Sequence, residues 1–594
     1  MTAGAAPSLF DNATSLCGRQ WLLNAVDNRL VESLSRQAGI NDVLARVLAA
    51  RGVTLDTVQD FLHPTLKNLM PDPSTLAGMD EAIERIVLAI EAKEKIGVFG
   101  DYDVDGATSS ALLRRFFRSI GINAVIYIPD RMKEGYGPNV PAMRALAEQG
   151  VRVLITVDCG IAAYEPLKVA KDVGIDVIVA DHHKAEPNLP LAAAVVNPNR
   201  LDDTSKQGHL AAVGVTFLLI VALNRRLRTS GWYRDMARAE PDLRQWLDIV
   251  ALGTVADVVP LIGLNRAFVI QGLSILGRGA NAGLAAMRKV AAIDVEPSAY
   301  HLGFIYGPRV NAGGRVGQAD LGMRILSTED ADEATALAIR LDDFNRTRQD
   351  IEAAVLAEAI EQVETRNSDE PIVFAMGNGW HPGVIGIVAS RLKDRYGRPA
   401  CVIALDGGMA KGSGRSVKGV DLGKAVLAAR DVGLLFNGGG HAMAAGFTVE
   451  EPKISPFVEF MNNHAAAQLK SGVSSIAHPL DGVLSVNAVT TEFATMLGDL
   501  APYGAGNDEP RFAILDADIG KADIVGSGHV RCFLSGRNGG RLKAIAFRSA
   551  DSDLGVGLLN SRGRAMHLTG TVRLETWQGR TSAQLVIDDA MFVV

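Results

Sequence analysis

The sequence predicts an α/β protein: a parallel-sheet domain, a long connecting helix, a second α/β domain and a small C-terminal β-barrel. Three observations predict it. Between about residues 80 and 200, short strands that are apolar on both faces alternate with helical segments, as in a parallel sheet covered on both sides. The segment Ser327 to Glu370 contains neither Gly nor Pro. From about residue 478, short strands are punctuated by turn sequences such as GRNGGR and QGR, which suits a small barrel or sandwich. The length of 594 residues leaves room for this many parts, at roughly 100–200 residues per domain.

Residues 1–70 read as helical, with VESLSRQAG and LARVLAARG, and end in the Pro-rich FLHPTLKNLMPDP. They carry no readable chemistry. Residues 71–325 form the parallel-sheet domain, with strands IGVF (96–99), AVIYI (124–128), VRVLITV (151–157), IDVIVA (175–180) and AAAVV (192–196), then helical sequence to about 290. Residues 326–370 form the connector. Leu337, Leu341, Phe344, Ile351, Val355 and Val363 fall at spacings that share one helical face, and Ser327 with Asp330 suits an N-terminal capping pair. A single helix there is roughly 50–60 Å long and joins two domains better than it fits inside one. Residues 371–475, opening with PIVFAM, form the second α/β domain, and 476–594 the β-rich one. No fixed-period repeat is present.

A hydrophobic fraction of 48% and a charged fraction of 21% exclude a disordered chain. Four widely spaced Cys without any CxxC argue against a disulfide framework or zinc ribbon, and for a reducing cytoplasm. The opening MTAGAAPSLFDNATS lacks a basic stretch followed by an apolar one, so no secretory leader is expected. No apolar run approaches the roughly 18 residues that span a bilayer, so no membrane partner is expected. The net charge of −7 argues weakly against general nucleic-acid binding. Local clustering matters more: residues 524–550 hold Arg531, Arg537, Arg541, Lys543 and Arg548 without one Asp or Glu.

The chemistry starts at IGVFGDYDVDGATSSALL, where a strand is followed by Asp101, Asp103 and Asp105 and then a helix. Three carboxylates within five residues repel unless something positive lies between them. An EF-hand is excluded: no Glu stands at its twelfth position, and a strand rather than a helix precedes the loop. A solvated acidic turn is the bland alternative. It weakens because a second strand is followed by Asp158 and a third by Asp181, His182 and His183. Parallel strands end along one edge, so the chain carries Asp103, Asp105, Asp158, His182 and His183 to one place. Carboxylates mixed with imidazoles suit Mn²⁺ or Mg²⁺. Asp257, in the apolar run LDIVALGTVADVVPL, is either a turn residue or a further ligand, and the ligand-poor site favours the second.

DYDVDG, VDCG, ADHH and GTVADVVPL, in this order, resemble the four motifs of the DHH phosphoesterase superfamily. GWHPGVIGIVASRL, GSGRS and GGGHAMAAG resemble its associated second domain. With YGPRVNAGGR before the long helix and the C-terminal β region, residues 70–594 resemble the single-stranded-DNA-specific exonuclease branch. The resemblance implies two divalent ions, Mn²⁺ or Mg²⁺. Asp103 would hold one, Asp105, His182 and Asp257 the other, and Asp158 would bridge them. Asp101 stands where that branch has an additional Asp, as a ligand or a support to one; other branches have a His where this chain has Phe99. Asp181 would orient His182 through its free ring nitrogen, and His183 would reach a phosphate oxygen or the leaving group.

The resemblance further implies that the second domain holds the end of the substrate chain. Arg309 and Asn311 in GPRVNAGGR, Ser413 and Arg415 in GSGRS, and His441 in GGGH are the candidates, each beside Gly that lets backbone N–H groups close on phosphate. His381 in GWHPG is either a further one or a turn residue. The β region resembles an OB-fold, in which Arg531, Arg541 and Lys543 would track a nucleic-acid backbone. Phe533 and Phe547 would stack on bases or lie in the core. PYGAGNDEP (502–510) resembles the same branch without an evident physical role. The implied activity is 5′-to-3′ hydrolysis of single-stranded DNA to mononucleotides in repair and recombination, by a monomer, with a single-stranded-DNA-binding protein and a helicase as partners. The alternatives are a phosphoesterase acting on short oligonucleotides or cyclic dinucleotides, and a non-catalytic binding scaffold.

Overall fold

Along the chain, strand β1 (Arg19–Leu23) precedes four short helices, Asn28–Ala38, Asp42–Ala50, Val58–Leu62 and Leu66–Leu69. The expectation of an all-helical start therefore misses one strand. The computed structural model describes residues 8–10, 15–131, 133–366, 369–469, 476–537 and 539–593. The chain forms two compact units: Met1–Asp72 with Asp257–Ser274 and Ser474–Val594, and Pro73–Ala256 with Ile275–Val473.

The second unit opens with a five-stranded sheet of β2 (Lys95–Gly100), β3 (Val125–Tyr127), β4 (Val151–Val157), β5 (Asp176–Ala180) and β6 (Ala194–Val196). All pairings are parallel and the order is β3-β2-β4-β5-β6. Each strand is one of the predicted apolar runs; β2, β4, β5 and β6 are largely buried because helices cover the sheet, and the edge strand β3 is half-buried. Phe99, Leu154 and Val179 share one core with Met143 and Leu167 of the helices Val140–Glu148 and Tyr164–Asp172.

The connector is one helix, Ala331–Arg366, 36 residues and about 54 Å long. Leu337, Leu341 and Val355 are buried as their spacing predicts. Its cap differs from the expected pair. Asp330 alone serves, its Oδ1 accepting the N–H groups of Asp332 (2.8 Å) and Glu333 (3.1 Å). Ser327 instead ends the preceding helix, and its hydroxyl donates to the Met323 carbonyl at 2.8 Å.

Beyond the connector lies a second sheet of β7 (Val373–Asn378), β8 (Ala400–Asp406), β9 (Met409–Arg415), β10 (Asn437–His441) and β11 (Ala444–Glu450), in the order β10-β11-β9-β8-β7. Only β7 and β8 are parallel. The register brings the two glycine-rich motifs together: Gly439 faces Gly446, and Gly446 faces Ser413.

In the first unit, β12 (Ile476–Leu480) pairs in parallel with β1. There follow β13 (Gly482–Leu484), β14 (Arg511–Val525), β15 (His529–Gly536), β16 (Arg541–Ala546), β17 (Ala565–Trp577) and β18 (Arg580–Phe592). The order β14-β15-β16-β18-β17 closes on itself through a β14–β17 pairing, giving a five-stranded barrel without open edges. Leu34, Val47, Leu48 and Val58 of the N-terminal helices share its core with Phe512, Leu534 and Leu568. The PYGAGNDEP segment acquires a role here. Gly506 lies against Pro260, where a Cβ would come within 2.9 Å, and the Leu261 N–H donates to the Ala505 carbonyl at 2.7 Å. Buried Arg266 donates to the carbonyls of Phe61 and Ala501, both at 2.7 Å, and so ties three distant stretches of chain together. Among the described residues no helix is long and apolar enough to cross a membrane.

Candidate metal centre and phosphate cleft

β3 lies on one side of β2 and β4 on the other, so the chain leaves the carboxyl edge of the sheet in two directions and opens a crevice there. Asp101 follows β2 directly and is 2% exposed. Asp103 caps the helix Val104–Ser119, its Oδ1 accepting the N–H groups of Asp105 (2.9 Å) and Gly106 (3.1 Å). Gly106 is required, because a Cβ would lie 2.4 Å from the Asp101 carbonyl oxygen. Asp105 is buried, and its two oxygens accept the N–H groups of Ala212 (2.6 Å) and Val213 (2.8 Å) at the start of the helix Ala212–Thr229. A carboxylate oxygen that accepts one N–H can still turn its second lone pair toward a cation.

Asp158 follows β4 with a left-handed φ of 60°, a conformation costly for a residue with a Cβ and retained where the site demands it. His182 Nε2 lies 3.4 Å from Asp158 Oδ1 and 3.9 Å from Asp105 Oδ2. Its Nδ1 meets the Leu210 carbonyl at 3.0 Å; since a carbonyl only accepts, Nδ1 carries the proton and Nε2 presents its lone pair to the carboxylates. Burial first, then the charge of His183, hold His182 below its usual pKa and so in the neutral, ligating form.

The expectation that Asp181 orients His182 is corrected: it holds His183. Asp181 Oδ1 lies 2.8 Å from His183 Nδ1 and also accepts the N–H groups of His182 and His183, while Oδ2 accepts that of Ile161. Burial raises the pKa of this carboxyl, but the bonds and charge of His183 and the Ile161 N–H outweigh it and leave the carboxyl below its usual range. The role expected of Asp181 falls to the Leu210 carbonyl, on the loop before the helix Ala212–Thr229. Tyr136 adds a contact not foreseen, its hydroxyl donating to the Asp158 carbonyl at 3.1 Å.

The ligand atoms of Asp101, Asp103 and Asp158 lie within 4.8 Å of one another, and so do those of Asp158, His182 and His183. Buried Asp101 Oδ1 accepts no hydrogen bond among the described residues. Burial, then the charge of Asp103, push the Asp101 carboxyl well above its usual range. Carboxylates gathered in this way in low dielectric call for cations, and oxygen with imidazole donors and no thiolate fit Mn²⁺ or Mg²⁺. Asp257 directly follows the helix Leu247–Ala256, which packs on the helix Val104–Ser119 that carries Asp105.

A cavity of about 350 Å³ lies beside this edge, lined by Arg131, Arg315, Lys411, Ser413 and Arg415 and by Gly386, Gly438 and Gly439. A smaller one of about 180 Å³ shares Arg131 and Arg315 and reaches His381. Arg415 donates to the Gly414 carbonyl (2.9 Å) and to Ser413 Oγ (3.2 Å). Burial and then the Arg131 charge lower the pKa of Arg415, and the same two causes bring Arg315 down to about 10. Both remain charged at neutral pH, in a crowd that an anion would relieve. The Arg131 guanidinium sits 5.0 Å from the Tyr102 ring, and Gly314 packs so close to the Tyr102 carbonyl that a Cβ would come within 2.6 Å. The cleft therefore adjoins the carboxylate turn.

Three of the expected phosphate ligands are not among the residues that line the larger cavity. Arg309 is locked to Asp342 Oδ1 (2.9 and 2.8 Å) and to the Ile305 carbonyl, so it braces the connecting helix. Asn311 is half-buried on the helix Gly307–Val316 and does not line the cleft. His441, exposed at the end of β10, shares a row and a sheet face with Ala444 and Arg415 but is not among the residues lining the cavity. His381 Nδ1 accepts the Gly383 N–H at 3.0 Å, so it packs its turn as well as lining the smaller cavity. The residues missed were Arg131 and Arg315. Arg131 follows the end of β3, so the rule that found the carboxylates also applied to it.

Family models match the chain in three places: the N-terminal domain of the DHH family over residues 95–254, the DHHA1 domain over 369–467 and the RecJ OB domain over 480–589. The single-stranded-DNA-specific exonuclease RecJ of Bacillus subtilis (strain 168) is 36% identical over 576 residues, covering 96% of this chain and 70% of that protein. The chain belongs to the RecJ family. RecJ of Escherichia coli (strain K12) is also 36% identical, over 94% of this chain and 97% of its own length. Among solved structures, RecJ from Thermus thermophilus in complex with Mn²⁺ superposes with a TM-score of 0.81 at 28% identity, covering 96% of this chain and 79% of that one. Its Mg²⁺ complex gives 0.75 at 27% identity, covering 96% and 78%.

In the part that matches the RecJ OB domain, two cations of the basic run have carboxylate partners. Arg531 grips Asp523 through Nε (3.0 Å) and Nη2 (2.6 Å), and Lys543 pairs with Glu575. The acids come from other strands, Asp523 from β14 and Glu575 from β17, not from the run itself; Arg541 is exposed on β16. Phe533 and Phe547 are 42% and 52% exposed, so they are outward aromatics of this RecJ OB barrel and not core residues.

Proposed function

We propose that this chain hydrolyses single-stranded DNA from its 5′ end to mononucleotides, by metal-dependent phosphodiester hydrolysis. The observation that carries the reading is the cationic cleft of Arg131, Arg315, Ser413 and Arg415 next to the carboxylate and histidine cluster. A terminal phosphate held there leaves the next phosphodiester to reach the cluster, which measures off one nucleotide at a time. Asp103, Asp105, Asp158 and His182 would hold two divalent ions, with Asp101 as a further ligand or support and Asp257 as the ligand that its sequence motif adds. Bound there, such ions lower the pKa of a water and neutralise charge on the attacked phosphate. Asp158 shares the space of both groups of ligands and keeps them together. His183, its Nδ1 held by Asp181, offers Nε2 to a phosphate oxygen or to the leaving 3′ oxygen, and the buried Asp181 stabilises the protonated ring. Water adds at phosphorus, the O3′ bond breaks, and the shortened strand keeps a 5′-phosphate for the next round.

This reading also covers action as a monomer in the cytoplasm, where the free thiols of Cys17, Cys159, Cys401 and Cys532 stay reduced, with a single-stranded-DNA-binding protein and a helicase supplying the strand. It assigns catalysis to residues 71–325, the connection to 326–370, end binding to 371–475 and strand tracking to 476–594. The test is a linear and a circular single strand of one sequence, each incubated with Mn²⁺. The linear strand should be consumed and the circle persist, and Asp158→Asn should lower the linear rate by at least a thousandfold. A cut circle, or an active Asp158→Asn, contradicts the proposal.

A further inference from the structure

We infer that the cleft extends past the terminal phosphate into a trough built for a polyphosphorylated 5′ end, so that strands carrying a 5′-triphosphate are substrates without prior trimming. The inference rests on the exonuclease reading above and concerns the part of the cleft which that reading leaves empty. Outward-facing residues of β9, β11 and β10 form rows across the sheet, set by the register. Arg415, Ala444 and His441 make one row, Ser413, Gly446 and Gly439 the next, and Lys411, Thr448 and Asn437 the third. The middle row has one hydroxyl and two residues without a Cβ, so it is a dip between two rows of side chains. Arg415 and Lys411 are four residues apart on one strand face, about 13 Å at the rise of a strand.

Charge points the same way. The cavity is lined by Arg131, Arg315, Lys411 and Arg415, and no carboxylate lines it among the described residues. A terminal monophosphate carries about −1.5 to −2 at pH 7, which the three arginines at one end already meet. Lys411 and the glycine floor remain: each added phosphate brings a further negative charge for Lys411 to meet, and the missing Cβ atoms of Gly446 and Gly439 leave room for its bulk. The trough leads along β9 from Arg415 to Lys411, beyond the end at which Arg131 and Arg315 adjoin the carboxylate turn. A group lying in it extends the 5′ end away from the bond that is cut. The cleavage is unchanged: water adds at the phosphorus joining the first two nucleotides, the first 3′ oxygen leaves and takes up a proton, and the products are a nucleoside 5′-triphosphate and a strand with a 5′-monophosphate.

The test compares three single strands of one sequence, with 5′-hydroxyl, 5′-monophosphate and 5′-triphosphate ends, under single-turnover conditions with full-length protein and Mn²⁺. The triphosphate strand carries its label in the γ-phosphate. The first turnover on it should run within about threefold of the monophosphate strand, and the label should leave as a nucleoside triphosphate. Lys411→Ala should slow that turnover at least fivefold and change the monophosphate rate less than twofold, and Lys411→Arg should restore it. If the triphosphate strand persists while the monophosphate strand is consumed, the inference is overturned and the exonuclease reading stands. Release of label as pyrophosphate or phosphate, or an indifferent Lys411→Ala, overturns it as well. If neither strand is consumed, it is the exonuclease reading that fails.

Discussion

Arg315 and Arg415 sit in a crowd of cations with burial against them, so a bound phosphate relieves both costs at once. Each charge-assisted contact of this kind is worth about 1.5–3 kcal/mol, or roughly 10- to 100-fold in binding. Arg415→Ala or Arg315→Ala should therefore raise KM by that factor on a 5′-phosphorylated strand and by much less on a 5′-hydroxyl strand. An equal loss on both strands would mean that the arginines hold something other than the end. The residue scale also shows what a sequence can tell. Asp101, Asp103, Asp105, Asp158, His182 and His183 were legible because parallel strands end on one edge, a rule that needs no side-chain geometry. Arg309 and Arg315 were not distinguishable, since both lie beside Gly in one ten-residue motif. Only the packing of Asp342, 33 residues further on, claims Arg309 and leaves Arg315 to the cleft. His182 and His183 likewise exchange their expected supports because a backbone carbonyl, which no residue type announces, reaches His182.

At the scale of elements, the strands of the first sheet and the connecting helix follow from local pattern alone. The helix shows how far that reaches: its apolar face was legible, and its start was displaced by three residues because Ser327 serves the preceding helix. Asp330→Ala should cost about 1 kcal/mol of stability, read as a lower urea midpoint for loss of the helical signal. An unchanged midpoint would mean that the N-terminal turn is satisfied in another way. Strand β1 was illegible for a different reason. RQWLL is short and does not alternate, and what makes it a strand is its pairing with β12, with Arg19 opposite Ile476. The basic run of the barrel belongs to the same class. Its lack of acids along the chain says nothing of the acids across the sheet, where Asp523 and Glu575 take up Arg531 and Lys543.

At the scale of the molecule, one unit is closed by a barrel whose strands are tied together by a half-buried charge. Asp588 on β18 meets His478 of β12 at 3.3 Å, accepts the Thr569 hydroxyl of β17 at 2.8 Å and pairs with Arg511 of β14. Burial raises its pKa, but the His478 bond and the Arg511 charge outweigh it and bring the carboxyl down to about 2, below its ordinary 3.8. A lowered carboxyl stabilises the fold at any pH above its unfolded value and loses that contribution as pH falls through the folded one. Asp588→Asn should thus cost on the order of 2 kcal/mol at pH 7, a deficit that fades between about pH 4 and pH 2. A deficit constant across that range would contradict the assignment. The two sides of the cleft act together: an end is bound and the neighbouring bond is cut with metal. The measurement that tests it most directly is a time course on one single strand, labelled at its 5′ end in one tube and its 3′ end in another, with Mn²⁺ and with chelator. Expected are immediate release of a labelled mononucleotide from the 5′ label, a slowly shortening ladder from the 3′ label, and neither with chelator. Mononucleotide release from the 3′ label first, or cleavage that survives chelation, would contradict it.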